Sequence, residues 1–566
     1  MGLSSAFTIS TQETKDLLRG LPLLETLTEE LIADMAEQLL YVPVAAGEWL
    51  FRAGDPATTA FVIASGRLEV IDQSGRMIRV LRRGALLGEL ALLRDGPRSG
   101  SVRAIRDSQL VCLRRDHFER LVAEAPGFGL ALMRTIGERL ASSLAPATTL
   151  MPARTLAVVA LEPDISAPAA MAALAAEIDD LAVLDGSESD WSLRLAVTEA
   201  QHERVLLITC DSPDSPWTEF CLHEADVLVA LTRGAPHPMW SRHYESLRGC
   251  ELVVLGPAAD DELVRRINPA RVRASPTIGK AMRELGRRFD RRAIGLVLSG
   301  GGARAMSHLG VIEELVAAGV RIDRIAGVSL GALVAASVAR GDDPETSYAV
   351  FEQHFVHSKP TKDYTIPMVA LLRGGRTSRA IAAEFGDVRI ESLELPYWCT
   401  STDLVRRESV VHRSGSLAHA VRASLSLPAI FPPVRDGDRL LVDGGVIDNL
   451  PVEIMAEEAA GPVVAIDVTG AAGQRAITFR PRLRPLLTGI TGSAIPLPRL
   501  SETIIRCMTL ASKDTVAAAC LHADVIITPK VAGIGLLDWQ RLPEMREAGR
   551  AAARDVIDKL AALGTV

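Results

Sequence analysis

The sequence predicts a multidomain protein that combines a small β-barrel with α/β units. Its 566 residues exceed the roughly 250–300 residues that one hydrophobic core usually organises. Short apolar runs between regularly spaced glycines fill 42–115, which is typical of an antiparallel barrel or sandwich. From 155 onward, apolar strand-like runs alternate with helical stretches, which favours parallel sheets covered by helices.

Bulk composition excludes several classes of protein. Hydrophobic residues make up 48% and charged residues 23%, which is ordinary for a globular chain. The formal net charge of −8 argues against a general nucleic-acid binder, and we expect no nucleic-acid partner. The seven cysteines stand singly without a C-x-x-C pair, so we expect reduced thiols and no metal site.

The chain shows no targeting or membrane-spanning segment. The first twenty residues are polar and contain no signal-peptide core, and no run of about 18 apolar residues occurs. We therefore expect a cytoplasmic protein without a signal peptide or transmembrane helix, whose contact with any lipid is peripheral.

Changes in composition and in the periodicity of apolar residues divide the chain into five segments. We predict an N-terminal tail at 1–20, a barrel domain with an exit helix at 21–145, a Rossmann-like α/β spacer at 153–275, a helical connector at 276–292, and a second α/β domain at 293–566 whose core is 293–470. No P-loop or G-x-G-x-x-G follows the first strand of the spacer, so a structural role is the simpler interpretation of that segment.

Within the barrel, Gly88-Glu89-Leu90 opens a short helix, and Arg98 follows nine residues after Glu89. A carboxylate there can accept a hydrogen bond from a ribose hydroxyl. An arginine offers two parallel donors to a cyclic phosphate. As a set, GELALL…PRSGS resembles the phosphate-binding cassette of cyclic-nucleotide-binding domains. The resemblance implies that cAMP or cGMP contacts Gly88, Glu89, Leu90, Arg98, Ser99 and Ser101.

The cassette departs from the family at one place. Ser99-Gly100-Ser101 stands where the family usually has Ala-Ala-Thr or Ala-Ala-Ala, which leaves the choice between cAMP and cGMP open. A barrel that has kept only a structural role is the alternative.

The second α/β domain carries a G-x-S-x-G segment, Gly327 to Gly331, between an apolar strand and a helix-forming run. A serine on such a sharp turn needs neighbours without bulk, and the helix N-terminus favours developing negative charge. Ser329 is therefore a candidate nucleophile, with Gly327 and Gly331 shaping its turn.

Two further motifs flank this serine in the chain. Gly300-Gly301-Gly302-Ala303-Arg304 also lies between a strand and a helix, and its consecutive amides can form an oxyanion hole. A phosphate-binding loop is the alternative, but the Lys-Ser/Thr of a P-loop is missing. Asp443-Gly444-Gly445 follows a later strand. Its carboxylate could take the serine proton directly, although Asp-Gly is also a common turn.

These three motifs, in this order, resemble the patatin-like phospholipase family over about 293–470, with weaker likeness to 555. The resemblance implies a dyad of Ser329 and Asp443, an oxyanion hole at Gly300, Gly301, Gly302 and Arg304, and no catalytic cofactor. Ala305 departs from the family, which usually has glycine there. It removes no hydrogen-bond donor.

The order of barrel, spacer and hydrolase resembles the neuropathy-target-esterase branch of that family. It implies a phospholipid or lysophospholipid substrate and regulation by a cyclic nucleotide. Three alternatives stay open: a Ser-Asp-His hydrolase using His522 or His308, a nucleotide sensor whose hydrolase domain only docks a partner, and a transcription factor. Against a transcription factor, no helix-turn-helix pattern follows residue 145.

Overall fold

The fold is described from a computed structural model, which divides into two compact units. Unit 1 comprises Met1–Ala172, Asp180–Val253 and Ala259–Arg271, and unit 2 comprises Ala173–Asp179, Val254–Ala258 and Val272–Val566. The residues that the structure describes are 15, 40–45, 48–71, 77–81, 85–89, 92, 96–105, 108–116, 118, 120, 133, 155–188, 191–209, 212–256, 260–357, 363–366, 368–469, 516, 519, 521–535 and 538–562.

In the described part of unit 1, the predicted β-barrel domain has eight strands in two antiparallel sheets. The sheet orders are β1-β8-β3-β6 and β2-β7-β4-β5. The strands are β1 Leu40–Val44, β2 Trp49–Phe51, β3 Thr59–Ser65, β4 Leu68–Ile71, β5 Met77–Leu81, β6 Leu86–Leu87, β7 Ser101–Ala104 and β8 Ser108–Arg114. Apolar side chains of both sheets, among them Ile63 and Leu68, share one buried core. The predicted tail at 1–20 lies almost entirely outside the described residues. The same holds for two helices that the sequence predicts in the barrel domain, an entry helix at 21–35 and the exit helix at 116–145.

The spacer is the predicted parallel α/β layer. Its elements are β9 Thr155–Ala160, α1 Ala167–Ala175, β10 Leu181–Leu184, α2 Trp191–Gln201, β11 Arg204–Ile208, α3 Pro216–Glu224, β12 Val227–Thr232, β13 Glu251–Val254, α4 Asp261–Ile267 and β14 Arg271–Ala274. The sheet includes the order β10-β11-β9-β12-β13. The first five residues of β9 are buried, as expected for a strand covered on both faces. Sequence analysis did not single out β10 and β14, neither of which is fully buried as β9 nearly is.

Unit 2 is built around an eight-stranded mixed sheet of order β19-β20-β17-β16-β15-β21-β22, with β18 paired to β17. The strands are β15 Gly295–Leu298, β16 Arg324–Val328, β17 Tyr397–Asp403, β18 Glu408–His412, β19 Val434–Asp436, β20 Arg439–Asp443, β21 Val463–Ile466 and β22 Val525–Ile527. The central strands β17, β16, β15, β21 and β22 pair in parallel, whereas β20 runs antiparallel to β17.

The described part of unit 2 also contains nine α-helices. They are α5 Ile278–Phe289, α6 Ser307–Ala317, α7 Leu330–Arg340, α8 Pro344–Phe351, α9 Gly375–Phe385, α10 Leu417–Ser424, α11 Val452–Ala456, α12 Leu542–Arg554 and α13 Ile557–Ala562. The sequence explains their limits locally. Thr277 caps the start of α5 by accepting a hydrogen bond from the Lys280 amide at 3.2 Å, and Gly341 ends α7 in the left-handed conformation. Helix α5 lies within the stretch 276–292 that the sequence predicts to be a helical connector.

Candidate functional site

The parallel register of β15 and β16 aligns two motifs along the strand direction. They are Gly300–Arg304, which we call the glycine loop, and Gly327–Gly331, which we call the serine turn. Leu298 pairs with Gly327, so the positions two residues later, Gly300 and Ser329, are also level. The approach is close: a Cβ added to Gly300 would lie 3.1 Å from the Ser329 Cβ. Two motifs that are 29 residues apart in the chain therefore form one site.

The register of β17 brings the third motif to this level from the other side. Val328 pairs with Thr400, which makes Ser329 level with Ser401, and Ser401 pairs with Asp443 on β20. Because β20 is the neighbour of β17, the aspartate ends its strand where the serine turn begins. All three motifs meet at one edge of the sheet.

Ser329 has the backbone of a strained nucleophile turn. Its φ of 54° and ψ of −127° lie in a region that non-glycine residues rarely occupy, and α7 begins at the next residue. The Ser329 amide donates to the Ser424 hydroxyl at 2.9 Å, which fixes the turn. A Cβ on Gly331 would lie 2.5 Å from the Ser299 carbonyl oxygen, and one on Gly327 would lie 2.5 Å from the Gly331 carbonyl oxygen. Only glycines allow the helix to begin this close to β15.

The glycine loop offers backbone donors beside the serine, but its three amides are not equivalent. The Gly300 amide already donates to the Asn449 carbonyl oxygen at 3.3 Å. Gly301 precedes a short 3-10 turn, and Gly302 begins that turn with a φ of 53°. The Gly301 and Gly302 amides are therefore the better candidates for stabilising an oxyanion.

Asp443 is a buried carboxyl group poised to exchange a proton. One oxygen accepts from the Gly445 amide at 2.9 Å, and the other, Oδ2, has no hydrogen bond of normal geometry among the described residues. Burial raises the pKa of Asp443 to about 6, while the nearby Ser329 hydroxyl and the Gly445 amide lower it in part. The Ser329 hydroxyl is thus close enough to stabilise the carboxylate. A Cβ on Gly444 would lie 2.5 Å from the Thr400 carbonyl oxygen, so this turn also requires glycine.

Two buried polar residues that sequence analysis did not single out hold these turns in place. The Asn449 Nδ2 donates to the Gly300 carbonyl oxygen at 3.1 Å, and the Ser424 hydroxyl supports Ser329 as described above. Asn449 therefore ties the glycine loop to the segment after Asp443. In the sequence, Asn449 is a single asparagine in the run GVIDNLP, and nothing in that run identifies its partner.

Two side chains after the glycine loop turn away from the reaction site. The Arg304 guanidinium donates to the Ile534 carbonyl oxygen at 2.7 Å, so a role for Arg304 in the oxyanion hole rests on its backbone. His308 is fully buried and bonds the Ser299 carbonyl oxygen at 2.9 Å. Burial lowers the pKa of His308 to about 4, so it is a neutral support of the loop at pH 7.

The geometry does not favour a Ser-Asp-His triad. His522 lies 3.4 Å from Glu453 on α11 and is partly exposed. Within the described part of the chain, no group of three or more His, Cys, Asp or Glu side chains could hold a metal ion. No described helix is both long and apolar enough to cross a membrane.

The barrel holds the predicted cassette with Arg98 turned inward. Arg98 is 5% exposed and donates to the Gly88 carbonyl oxygen at 3.2 Å and to the Thr59 hydroxyl at 3.1 Å. Its guanidinium carbon lies 4.1 Å from the centre of the Phe51 ring. Burial lowers the pKa of Arg98, and nearby negative groups, first Asp55 and also the buried Glu89, oppose that effect. The two predicted ligand residues are therefore brought together inside the barrel.

The remaining cassette residues have different positions. Ser99 is exposed, whereas the Ser101 hydroxyl accepts from the Ala53 amide at 3.0 Å at the start of β7. Leu90 lies outside the described residues.

The buried carboxylate predicts an unusual effect on stability. Because the pKa of Asp443 is raised from its unfolded value of 3.8 to about 6, the folded state loses stability as the pH rises between these two values, and the loss reaches about 3 kcal/mol above pH 6. We expect Asp443→Asn to raise the free energy of unfolding at pH 8, and to have little such effect below about pH 3, where the carboxyl is protonated in both states. Denaturant unfolding at the two pH values measures this. An equal or lower stability of the variant at pH 8 would show that the carboxylate is not desolvated.

Comparison with known families agrees with this architecture. Residues 296–456 match the model of the patatin-like phospholipase family, and residues 41–125 match that of the cyclic nucleotide-binding domain. The first match identifies an enzyme of the lipid-hydrolase class. Among solved structures, the Thermus thermophilus catabolite activator protein aligns with 22% of this chain and 59% of that one, at 27% identity and a TM-score of 0.20.

Relatives that match nearly the whole chain identify its family. An uncharacterized NTE family protein of Mycobacterium tuberculosis is 31% identical over 570 residues, covering 96% of both chains. A lysophospholipase of Aspergillus fumigatus is 26% identical over 93% of this chain but only 42% of its own length, and one of Coccidioides immitis is 25% identical over 95% and 41%. The chain belongs to the NTE family and carries a cyclic nucleotide-binding domain ahead of a patatin-like phospholipase domain.

Proposed function

We propose that this protein is a serine-dependent lysophospholipase in which Ser329 attacks the ester and Asp443 serves as its base. The observation that carries the proposal is the pairing of a strained serine turn with a buried carboxyl whose pKa the serine hydroxyl lowers. A pKa of about 6 suits a base that works near neutral pH, because the group is ionised yet can still accept a proton. The lysophospholipid substrate is inferred from the names of the fungal relatives.

The chemistry follows from these positions. Asp443 takes the proton of the Ser329 hydroxyl while the Ser329 oxygen forms a bond to the ester carbonyl carbon. Negative charge then forms on the carbonyl oxygen, where the Gly301 and Gly302 amides and the N-terminus of α7 stabilise it. The ester bond breaks, the proton passes to the departing glycerol oxygen, and an acyl-serine remains. Water, deprotonated by Asp443, then attacks the acyl-serine. The bond between the Ser329 oxygen and the acyl carbon breaks, Asp443 returns the proton to the Ser329 oxygen, and the fatty acid is released.

Removing the nucleophile tests the assignment. We expect Ser329→Ala to lower the hydrolysis of lysophosphatidylcholine by about 10⁴–10⁶-fold, because serine and base act as a unit. Covalent labelling by a fluorophosphonate should be lost with it. Asp443→Asn should be nearly as damaging, whereas His522→Ala, the matched control for a triad, should retain activity. An inactive His522→Ala protein with a native fold would move the site to the triad. If the wild type itself hydrolyses no ester but binds a nucleotide, the sensor hypothesis is favoured.

We further propose that cAMP or cGMP binds the barrel through Arg98 and Glu89 and alters hydrolysis. Arg98 has a buried Nε without a partner among the described residues, so it retains a donor for a phosphate oxygen. Gly88 supports the site by its lack of a side chain, because a Cβ there would collide with the Arg98 guanidinium. A nucleotide phosphate would replace the present contacts of Arg98 with the Gly88 carbonyl and the Thr59 hydroxyl, and so change the cassette.

A buried ion pair inside unit 1 offers a route from the barrel to the spacer. Arg67, in the turn between β3 and β4, donates to Asp226 at 2.6 Å and to the Glu224 carbonyl oxygen at 2.8 Å. Both side chains of the pair are 5% exposed. Asp226 also accepts from the Thr155 amide at the start of β9, at 3.1 Å. A change in the barrel can therefore act on the central strand of the spacer sheet.

Nucleotide binding is tested on Arg98. We expect calorimetry to detect cAMP or cGMP binding to the full chain and expect Arg98→Ala to abolish it, because a charge-assisted contact to phosphate is the strongest single interaction available there. The matched control is Arg103→Ala, which removes a partly exposed arginine paired with Glu69 in the same barrel. The proposal fails if neither nucleotide binds at millimolar concentration, or if Arg98→Ala binds like the wild type.

The transmission of the signal is tested on Arg67. Coupling between sites commonly changes an equilibrium about 5- to 150-fold. We expect Arg67→Ala to keep nucleotide affinity within about threefold while losing most of the effect of nucleotide on hydrolysis, because removing the ion pair leaves the cassette intact. Thermal unfolding should accompany the assay, since an unpaired buried Asp226 destabilises the fold. An Arg67→Ala protein that still responds fully to nucleotide would exclude this route.

A further inference from the structure

Four large apolar side chains of unit 2 stand in solvent within six residues of one another. Tyr364 is 71% exposed, Ile366 79%, Met368 88% and Val369 71%. We call the described residues 363–366 and 368–370 the apolar loop. Isolated exposed apolar residues are ordinary on protein surfaces, but a contiguous group marks a surface that binds something.

The loop is held in place at its base. Tyr364 forms a β-bridge with Leu372, and the Thr365 amide donates to the Leu371 carbonyl oxygen at 3.0 Å. The Leu371 amide in turn donates to the Ala429 carbonyl oxygen at 2.8 Å. The apolar side chains therefore project from an ordered support.

That support is continuous with the residues that position the reacting pair. The Leu372 amide donates to the Ile430 carbonyl oxygen at 3.0 Å, in the segment that follows α10. The last residue of α10 is Ser424, whose hydroxyl accepts from the Ser329 amide. Two residues later, the Ser426 carbonyl oxygen accepts from the Asp443 amide at 3.0 Å. One short segment thus supports both the apolar loop and the catalytic turns.

Positive charge flanks the loop. Three exposed arginines follow within nine residues of its end. Arg373 lies just before α9, and Arg376 and Arg379 lie in the first turns of that helix. The loop itself carries one carboxylate, Asp363, which accepts from the Arg376 amide at 3.2 Å. Apolar side chains that can enter the acyl region, beside arginines that can reach headgroup phosphates, are complementary to an anionic lipid surface.

We propose that the apolar loop and these three arginines dock the protein on anionic lipid surfaces and so bring the site to its substrate. The inference rests on the proposed lipid hydrolysis. Docking on lipid explains why the apolar loop and the Ser329 turn share one supporting segment only if the substrate is a lipid. A second copy of the chain is a different occupant, which the experiment below distinguishes.

The test uses the full chain and vesicles of equal parts phosphatidylcholine and phosphatidylglycerol. We expect the wild type to co-sediment with them and the double variant Ile366→Asp, Met368→Asp to bind about tenfold or more weakly, because a charge opposes insertion of the loop. Leu521→Asp is the matched control: that side chain is 84% exposed in a turn elsewhere, and we expect the variant to bind like the wild type. Arg373→Gln combined with Arg376→Gln should weaken binding to these vesicles but not to pure phosphatidylcholine.

Two readouts separate docking from catalysis. Ser329→Ala should bind vesicles normally, so a failure of the proposed hydrolysis leaves docking measurable. The double loop variant should hydrolyse the soluble ester p-nitrophenyl butyrate like the wild type while losing activity on vesicle-bound lysophospholipid. Docking is overturned if the wild type does not bind vesicles or if the loop variant binds equally well. It is also overturned if the substitutions only dissociate a dimer in sedimentation velocity.

Discussion

The parallel pairing of β15 with β16 is the constraint on which the candidate active site depends. It sets Gly300 level with Ser329, and it works only because Gly331 lets α7 begin against the carbonyl at the end of β15. A bulkier residue there would push the helix away, and the serine turn would no longer lie beside the loop amides. The pairing of β17 with β20 then adds Asp443 at the same level. Strand register, rather than contact between the motifs in sequence, assembles the site.

The sequence allowed the fold class and the three motifs to be predicted because each motif has a local physical reason. Glycines next to a serine between a strand and a helix indicate a tight turn whatever the distant structure. Asn449 and Ser424 could not be found in this way. Their partners, Gly300 and Ser329, lie 149 and 95 residues away in the chain. A buried amide or hydroxyl has no pattern that identifies a partner at such a separation.

Burial of Asp443 has two consequences that cannot be separated. Removing the carboxyl from water raises its pKa to about 6, which suits a base, and the same desolvation makes the ionised form unfavourable in the folded protein. The Gly445 amide and the Ser329 hydroxyl recover part of that energy. Stability near a reactive group is thus lower than packing alone would give, a common condition of active sites.

A Ser-Asp pair depends on the exclusion of water from its carboxylate more than a triad does, because no imidazolium ion forms to hold the transferred proton. Water at Oδ2 would restore an ordinary aspartate pKa and weaken the base. An apolar substrate excludes water as it enters, so a lipid chain helps to complete the site that cleaves it. The exposed apolar side chains of the loop, supported by the segment that also holds Ser329 and Asp443, would present the site to such a substrate at the lipid surface on which we propose that the loop docks.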